Sequence, residues 1–175
     1  MRTKDIVTDH TLWAALGRGV KKVVVLSTNK AAYSINAMGM SKALMEKVTI
    51  ARSAVAAREG VVCCVTRYGN VMASRGSVIP LFLAQLREGR PLTLPEPDMT
   101  RSMMSIDDAV DLVLYVFDRA PPGDLFIQEA PAATIGTPAD ALTQIVGQHC
   151  EIHVLGTRHL EVHLEELCPG RPQGG

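Results

Sequence analysis

Two polar clusters carry the chain's most evident chemical capacity. Ser27-Thr28-Asn29-Lys30 sets hydroxyls, an amide and an ammonium side by side, and Arg67-Tyr68-Gly69-Asn70 adds a guanidinium, a phenol and a second amide. Such groups hydrogen-bond polar ligands and can neutralise a phosphate. Each cluster follows a short apolar run, Lys22-Val23-Val24-Val25-Leu26 and Val61-Val62-Cys63-Cys64-Val65-Thr66. Continuous apolar runs suit parallel strands covered on both faces. Parallel α/β sheets bind ligands at the carboxyl ends of their strands, so both clusters are expected on one sheet edge. A second set, His149, Cys150, His153, His159, His163 and Cys168, contains zinc-ligand types. Its first pair spans a helix end and a strand, and no Cys-x-x-Cys occurs, so no metal is expected.

The elements that must position these groups follow from periodicity. Met40, Leu44, Val48, Ala51 and Val55 recur at helical spacing and share one face, with Glu59-Gly60 as the stop. Strand, helix and strand form a βαβ unit. A second helix is expected from Val78 to Glu88, closed by Gly89, then a short strand Leu92-Thr93-Leu94. Ser105-Ile106-Asp107-Asp108 reads as a capping box. The helix it opens places Ile106, Val110, Val113 and Phe117 on one face, and Pro121-Pro122-Gly123 ends it. Leu125-Phe126-Ile127 is a brief strand, Thr137-Pro138-Ala139-Asp140 opens another helix, and Ile152-His153-Val154-Leu155 is a last strand. Gly17-Arg18-Gly19 lacks a third glycine and precedes a strand instead of following one, so it is not a dinucleotide fingerprint.

Composition limits the function classes. The 175 residues carry 18 basic and 18 acidic side chains, with 47% hydrophobic and 4% aromatic residues. That is globular composition, with neither the basic excess nor the aromatic surface of a nucleic-acid binder. No apolar run reaches membrane-spanning length, and the polar start leads to no signal-peptide core. Adjacent Cys63 and Cys64 read as buried hydrophobes in a reducing compartment, and the expected location is the cytoplasm.

Longer motifs resemble a known family. Leu26-Ser27-Thr28-Asn29-Lys30-Ala31, Asn36-Ala37-Met38-Gly39-Met40-Ser41-Lys42 and Thr66-Arg67-Tyr68-Gly69-Asn70-Val71-Met72-Ala73-Ser74-Arg75-Gly76-Ser77-Val78-Ile79-Pro80 are similar to the UDP-N-acetylglucosamine 4,6-dehydratases, including the 5-inverting type. These are polysaccharide biosynthesis proteins of the extended short-chain dehydrogenase/reductase superfamily. Met99-Thr100-Arg101 to Asp111, Gln128 to Ile135 and Gly156-Thr157-Arg158-His159 continue the likeness.

The resemblance implies an α/β fold: a partial Rossmann-like parallel sheet lacking its N-terminal strands, with a small C-terminal α/β substrate lobe. Residues 1–90 would hold the second part of the NADP-binding domain. Residues 91–160 would form the lobe, and 161–175 a divergent, disordered tail. It further implies a UDP-sugar substrate, C4 oxidation, C5/C6 elimination and C5 inversion in capsule or O-antigen synthesis, and a homo-oligomer. Nucleic acid and membrane are not expected partners.

Residue roles follow by the same resemblance. Lys42 matches the lysine of the Tyr-x-x-x-Lys signature, where it bonds the nicotinamide ribose. Met38 stands at the tyrosine position, where it cannot transfer a proton, a mark of the inverting type. Tyr33 is assigned to packing. Asn29 and Lys30 replace the family's Asp-Lys acid and base. Lys30 keeps the base, and Asn29 has no acidic proton, so elimination should be impaired. Ser27, Thr28 and Tyr68 join Lys42 on the cofactor side. Asn70, Arg75, Ser77, Val78, Arg101 and Arg158 fall to the UDP-sugar, Arg75 and Arg101 to its phosphates. Ser102 and Leu160 depart from the family pattern.

Other readings remain open: a non-catalytic remnant that binds no NADP and self-associates, a UDP-sugar-binding module, or a UDP-sugar 4-epimerase, against which Met38 argues.

Overall fold

The computed structural model describes residues 2–74, 76–147 and 149–156. They form two compact units. Among the described residues, one comprises the chain up to Gly69 with Asp107–Glu129, and the other comprises Asn70–Ile106 with Ala130 to Gly156.

The first unit is built on a parallel sheet of β1 (Lys22–Thr28), β2 (Val62–Tyr68) and β6 (Leu125–Ile127), in the order β1-β2-β6. Both long strands run past their apolar runs and take in Ser27-Thr28 and Arg67-Tyr68. The clusters therefore begin inside the sheet, where Ser27 pairs with Arg67 and Thr28 with Tyr68 in parallel register. Burying a charge without a partner is costly, and Arg67 shares one with Ser27 in Glu46.

That partner lies on α2 (Ala37–Arg58), which joins β1 to β2. Asn36 caps the helix by accepting from the Gly39 amide at 2.7 Å, and Gly60, at φ +75°, takes the left-handed turn after it. The apolar row Met40, Leu44, Val48, Ala51 and Val55 exists but points outward, with Met40 47% and Leu44 49% exposed. The buried face is Ser41, Met45, Glu46, Thr49, Ser53 and Ala56. Small side chains let a helix approach the sheet closely. Their hydroxyls are satisfied within the helix: Ser41 donates to Met38 O (2.8 Å), Thr49 to Met45 O (2.8 Å) and Ser53 to Ile50 O (2.6 Å).

An unforeseen helix, α1 (Arg2–Ala15), buries Leu12 and Ala15; Leu12 packs with Ala56, Val61 and Cys63. Its buried stripe is too narrow to read from the sequence. Asp9 accepts from Arg52 at 2.8 Å, and the same guanidinium lies 4.6 Å from the centre of the Trp13 ring.

In α4 (Ile106–Arg119) the expected row is again the outer one: Ile106, Val110 and Phe117 are exposed. Leu112, Val116 and the following Ala120 pack with Cys64, Val24, Tyr68 and Phe126 instead. Lys22 Nζ donates to the carbonyls of Val116 (3.3 Å) and Ala120 (3.1 Å) at the end of the helix, where the Val116 carbonyl also accepts from the Ala120 amide at 3.0 Å.

The second unit contains β3 (Asn70–Val71), β5 (Thr100–Met104) and β7 (Ala132–Thr134), in the order β3-β5-β7. β3 pairs with β5 in parallel and β5 with β7 antiparallel. A separate parallel pair joins β4 (Leu92–Leu94) to β8 (Ile152–Val154). With α3 (Val78–Arg87) and α5 (Gly136–Val146), these elements enclose a core of Phe82, Leu86, Leu92, Leu94, Met99, Ile135 and Ala139. Among the described residues no helix is long and apolar enough to cross a membrane.

Candidate functional site

The carboxyl edge of the first sheet gathers most of the residues assigned to catalysis and cofactor. Thr28 ends β1 and caps a single 3-10 turn, Asn29–Ala31. Its hydroxyl donates to Asn29 Oδ1 at 2.9 Å and accepts from the Lys30 amide at 3.4 Å. Asn29 is thereby 2% exposed, its amide oxygen held inside the turn, while Lys30 is half-buried. Met38 sits exposed in the first turn of α2, and Lys42 follows one turn later on the same helix row. The Lys42 ammonium donates to Leu26 O at 2.8 Å, which ties it to the strand end. Tyr68 packs in the cluster around Cys64 and Phe126. Tyr33, assigned to packing, is instead exposed, because the loop before α2 carries it outward.

The sequence reading missed the centre of this edge. Glu46, one turn beyond Lys42, is 4% exposed, and Arg67 is 7% exposed. They form a two-point ion pair, Arg67 Nη2 to Glu46 Oε2 at 2.7 Å and Nε to Oε1 at 3.2 Å. Ser27 Oγ donates to the same carboxylate. The available signal was the i, i+4 spacing of Lys42 and Glu46, with an arginine ending an apolar strand. Elsewhere in the sheet, Thr66 Oγ1 is buried with no partner. Cys63 and Cys64 are fully buried, and burial pushes both thiols up.

The second unit holds a cavity of about 350 Å3. Four of the residues assigned to the UDP-sugar line it: Asn70, Ser77, Val78 and Arg101. Asn70 Nδ2 donates to Ser102 O at 3.2 Å, and Arg101 Nη1 to Thr100 O at 2.8 Å. Ser77 stands at the N-cap of α3 but its hydroxyl makes no cap bond, and Oγ is buried without a partner. The first amides of a helix beside an arginine make an arrangement that accepts an anionic oxygen. The sequence reading missed the apolar wall, where Met72, Pro95, Met103 and Ile135 face the cavity. Ala73, also lining it, has φ +56°, a left-handed conformation costly for a residue with a Cβ. Arg75 and Arg158 lie outside the described residues, as do His159, His163 and Cys168 of the zinc reading. Among the described residues no three candidate metal ligands come together.

With this geometry in hand, similarity to known proteins decides the family. The family described as "Polysaccharide biosynthesis protein" matches residues 1–173. The chain belongs to this family. A protein named UDP-glucose 4-epimerase from Rickettsia akari (strain Hartford) is 53% identical over 167 residues, which is 95% of this chain and 49% of that protein. This member of the polysaccharide biosynthesis family thus spans about half the length of the curated relatives it matches. Among solved structures, Pen from Bacillus thuringiensis superposes with a TM-score of 0.87 at 30% identity, covering 95% of this chain and 52% of that one. DesIV, a dTDP-glucose 4,6-dehydratase from Streptomyces venezuelae solved with NAD and TYD, gives 0.81 at 21% identity, over 93% and 56%. The fold is thus part of the Rossmann-like fold of the extended short-chain dehydrogenase/reductases.

Proposed function

We propose that this chain carries part of the catalytic apparatus of an enzyme that modifies the sugar of a UDP-sugar, of the 4,6-dehydratase/5-epimerase type. The observation that carries the reading is the row Met38-Lys42 on α2, with the Lys42 ammonium bonded to Leu26 O at the carboxyl edge of the sheet. An ammonium so placed holds ribose hydroxyls, and the thioether one turn earlier has no proton to give.

The residues present fit one end of a nicotinamide dinucleotide. Ser27, Thr28, Lys42 and Tyr68 lie at the carboxyl edge. The Gly17 and Gly19 turns, both at positive φ, instead lead into the amino end of β1 and offer the pyrophosphate nothing at that edge. A nicotinamide held at that edge supplies hydride acceptance and return. Lys30 takes the C5 proton in this reading. Asn29 cannot protonate a departing C6 hydroxyl, and its buried amide instead holds the turn that presents Lys30. Asn70, Ser77 and Arg101 accept the diphosphate in the second unit's cavity, against whose apolar wall the uracil packs. NADP as the cofactor, and a cytoplasmic setting in capsule or O-antigen synthesis, belong to the same proposal.

A 4-epimerase is the second reading, favoured by the name of the Rickettsia akari relative. One experiment separates the readings. Purified chain is titrated calorimetrically with UDP, then incubated with NAD or NADP and with UDP-N-acetylglucosamine or UDP-glucose, and the sugar products are read by proton NMR. Saturable UDP binding with a 4-keto-6-deoxy product supports the dehydratase. A C4 epimer alone supports the epimerase, binding without turnover leaves a UDP-sugar module, and no binding at all sinks the proposal.

A further inference from the structure

The Glu46–Arg67 pair has no part in the reaction outlined above, yet it is the most deeply buried charge in the first unit. Its carboxylate is a junction of three elements. Glu46 belongs to α2, Arg67 reaches it from the end of β2, and Ser27 reaches it from the end of β1. The neighbouring residue of the same strand is bonded one turn earlier on the same helix, by Lys42 Nζ to Leu26 O. Two successive helical turns therefore grip two successive residues of β1. The structure assigns Glu46 and Arg67 as positioning residues: together they hold Lys42 on the Leu26 carbonyl.

Each partner prevents a different displacement of Lys42. Lys42 and Glu46 are four apart on a helix, close enough to pair with each other. Arg67 occupies both carboxylate oxygens with a planar fork and leaves the ammonium to the strand end. Without Arg67 the carboxylate would draw Lys42 along the helix, away from Leu26. Without the Glu46 charge, one negative charge fewer faces Arg67 and Lys42, and the ammonium meets a more positive field. The two losses push Lys42 in opposite senses, whereas loosened packing would push it in one.

This inference takes its purpose from the nucleotide-sugar reading, but its test needs neither cofactor nor substrate. The folded chain is acylated with limiting acetic anhydride, and the label on Lys42 is read by peptide mass spectrometry as a ratio to exposed Lys21. Glu46→Gln should raise the Lys42:Lys21 ratio about threefold or more, because an ammonium that loses a neighbouring negative charge deprotonates more readily. Arg67→Met should lower it by a similar factor, and Arg67→Lys should return it most of the way. Unchanged ratios, or both variants moving it in the same direction, overturn the assignment. Should Arg67→Met unfold, seen as rapid labelling of every lysine, Glu46→Gln and Arg67→Lys decide alone. A chain that labels as expected but binds no UDP fails the functional reading and keeps the brace. One that binds UDP but shows no change in labelling does the reverse.

Discussion

In the first unit the strand-end cluster rests on charge: Glu46 and Arg67 lie beneath it, nearly without solvent, in a two-point pair that Ser27 completes. In the second unit the cavity rests on hydrocarbon. Ile135 and Val78, which line it, also belong to the cluster of Phe82, Leu92, Leu94 and Met99. The polar groups there, Asn70 and Arg101, bond to backbone carbonyls at the rim. A buried ion pair is intolerant: it holds only if both partners stay, and its geometry fixes direction as well as distance. An apolar core fixes shape, but its attraction is non-directional and does not by itself aim a polar group. The first arrangement suits an ammonium that must sit at one point. The second suits a pocket that must accept a bulky ligand.

This contrast can be broken by substitution. The largest effects are expected from one residue of each kind. Arg67→Met takes the two-point partner from a buried carboxylate, which Lys42 can replace only by leaving the strand end, and should cost about 3 kcal/mol or more. Urea unfolding followed through Trp13, the single tryptophan, which lies on α1 in the first unit, would show it. Phe82→Ala should cost a similar amount, about 3–5 kcal/mol, through a cavity in the second core. Its signature should be faster amide exchange in β4 and β8, with the Trp13 transition unmoved. If Phe82→Ala shifts that transition as far as Arg67→Met does, the two units do not differ in the way described.

A smaller effect sharpens the account of the first unit. Gly39 opens α2 against the 3-10 turn, and a Cβ there would run into the carbonyl oxygen of Lys30. Gly39→Ala should cost about 1–3 kcal/mol by forcing the turn and helix apart, seen as a lowered Tm. No loss would mean that the turn is not held where Lys30 needs it.

The smallest effect is one of pH. Arg52 donates to Asp9 and holds its carboxyl below the ordinary value of 3.8; burial opposes this, and the charges of Arg52 and His10 assist. A depressed folded pKa stabilises above the unfolded value, and that stabilisation is lost as pH falls through the folded one. The Tm difference between wild type and Asp9→Asn should therefore be present at neutral pH and close as pH drops below about 4. A gap that persists at pH 2 would assign the effect to packing.

How far the sequence reached depended on where each signal is stored. The β1-α2-β2 unit was legible because β-branched runs and the Glu59-Gly60 stop are local. The cluster residues were legible through motif likeness, and the structure does collect Asn70, Ser77, Val78 and Arg101 in one cavity. The inner faces of α2 and α4 were not legible. Hydrophobic periodicity finds the apolar side of a helix, but α2 buries Ser41, Thr49 and Ser53, whose hydroxyls bond within their own turns. The strands β3, β5 and β7 escaped because they are brief and include polar residues such as Asn70, Thr100 and Ser102. Glu46 escaped because a glutamate at helical spacing reads as solvated until its partners arrive from two strands.

The sheet-facing side of α2 has a mechanical consequence. Serine, threonine and alanine have few rotamers with which to absorb a shift, so the helix meets the sheet as a nearly rigid bar, about 33 Å long at 1.5 Å per residue. Near its far end Ser53 lies where a Cβ on Gly123 would intrude at 2.9 Å. A small side chain at position 123 would first turn the Ser53 hydroxyl off its bond to Ile50 O; a larger one, remote in sequence from every reactive group, would press on the helix that carries Met38 and Lys42.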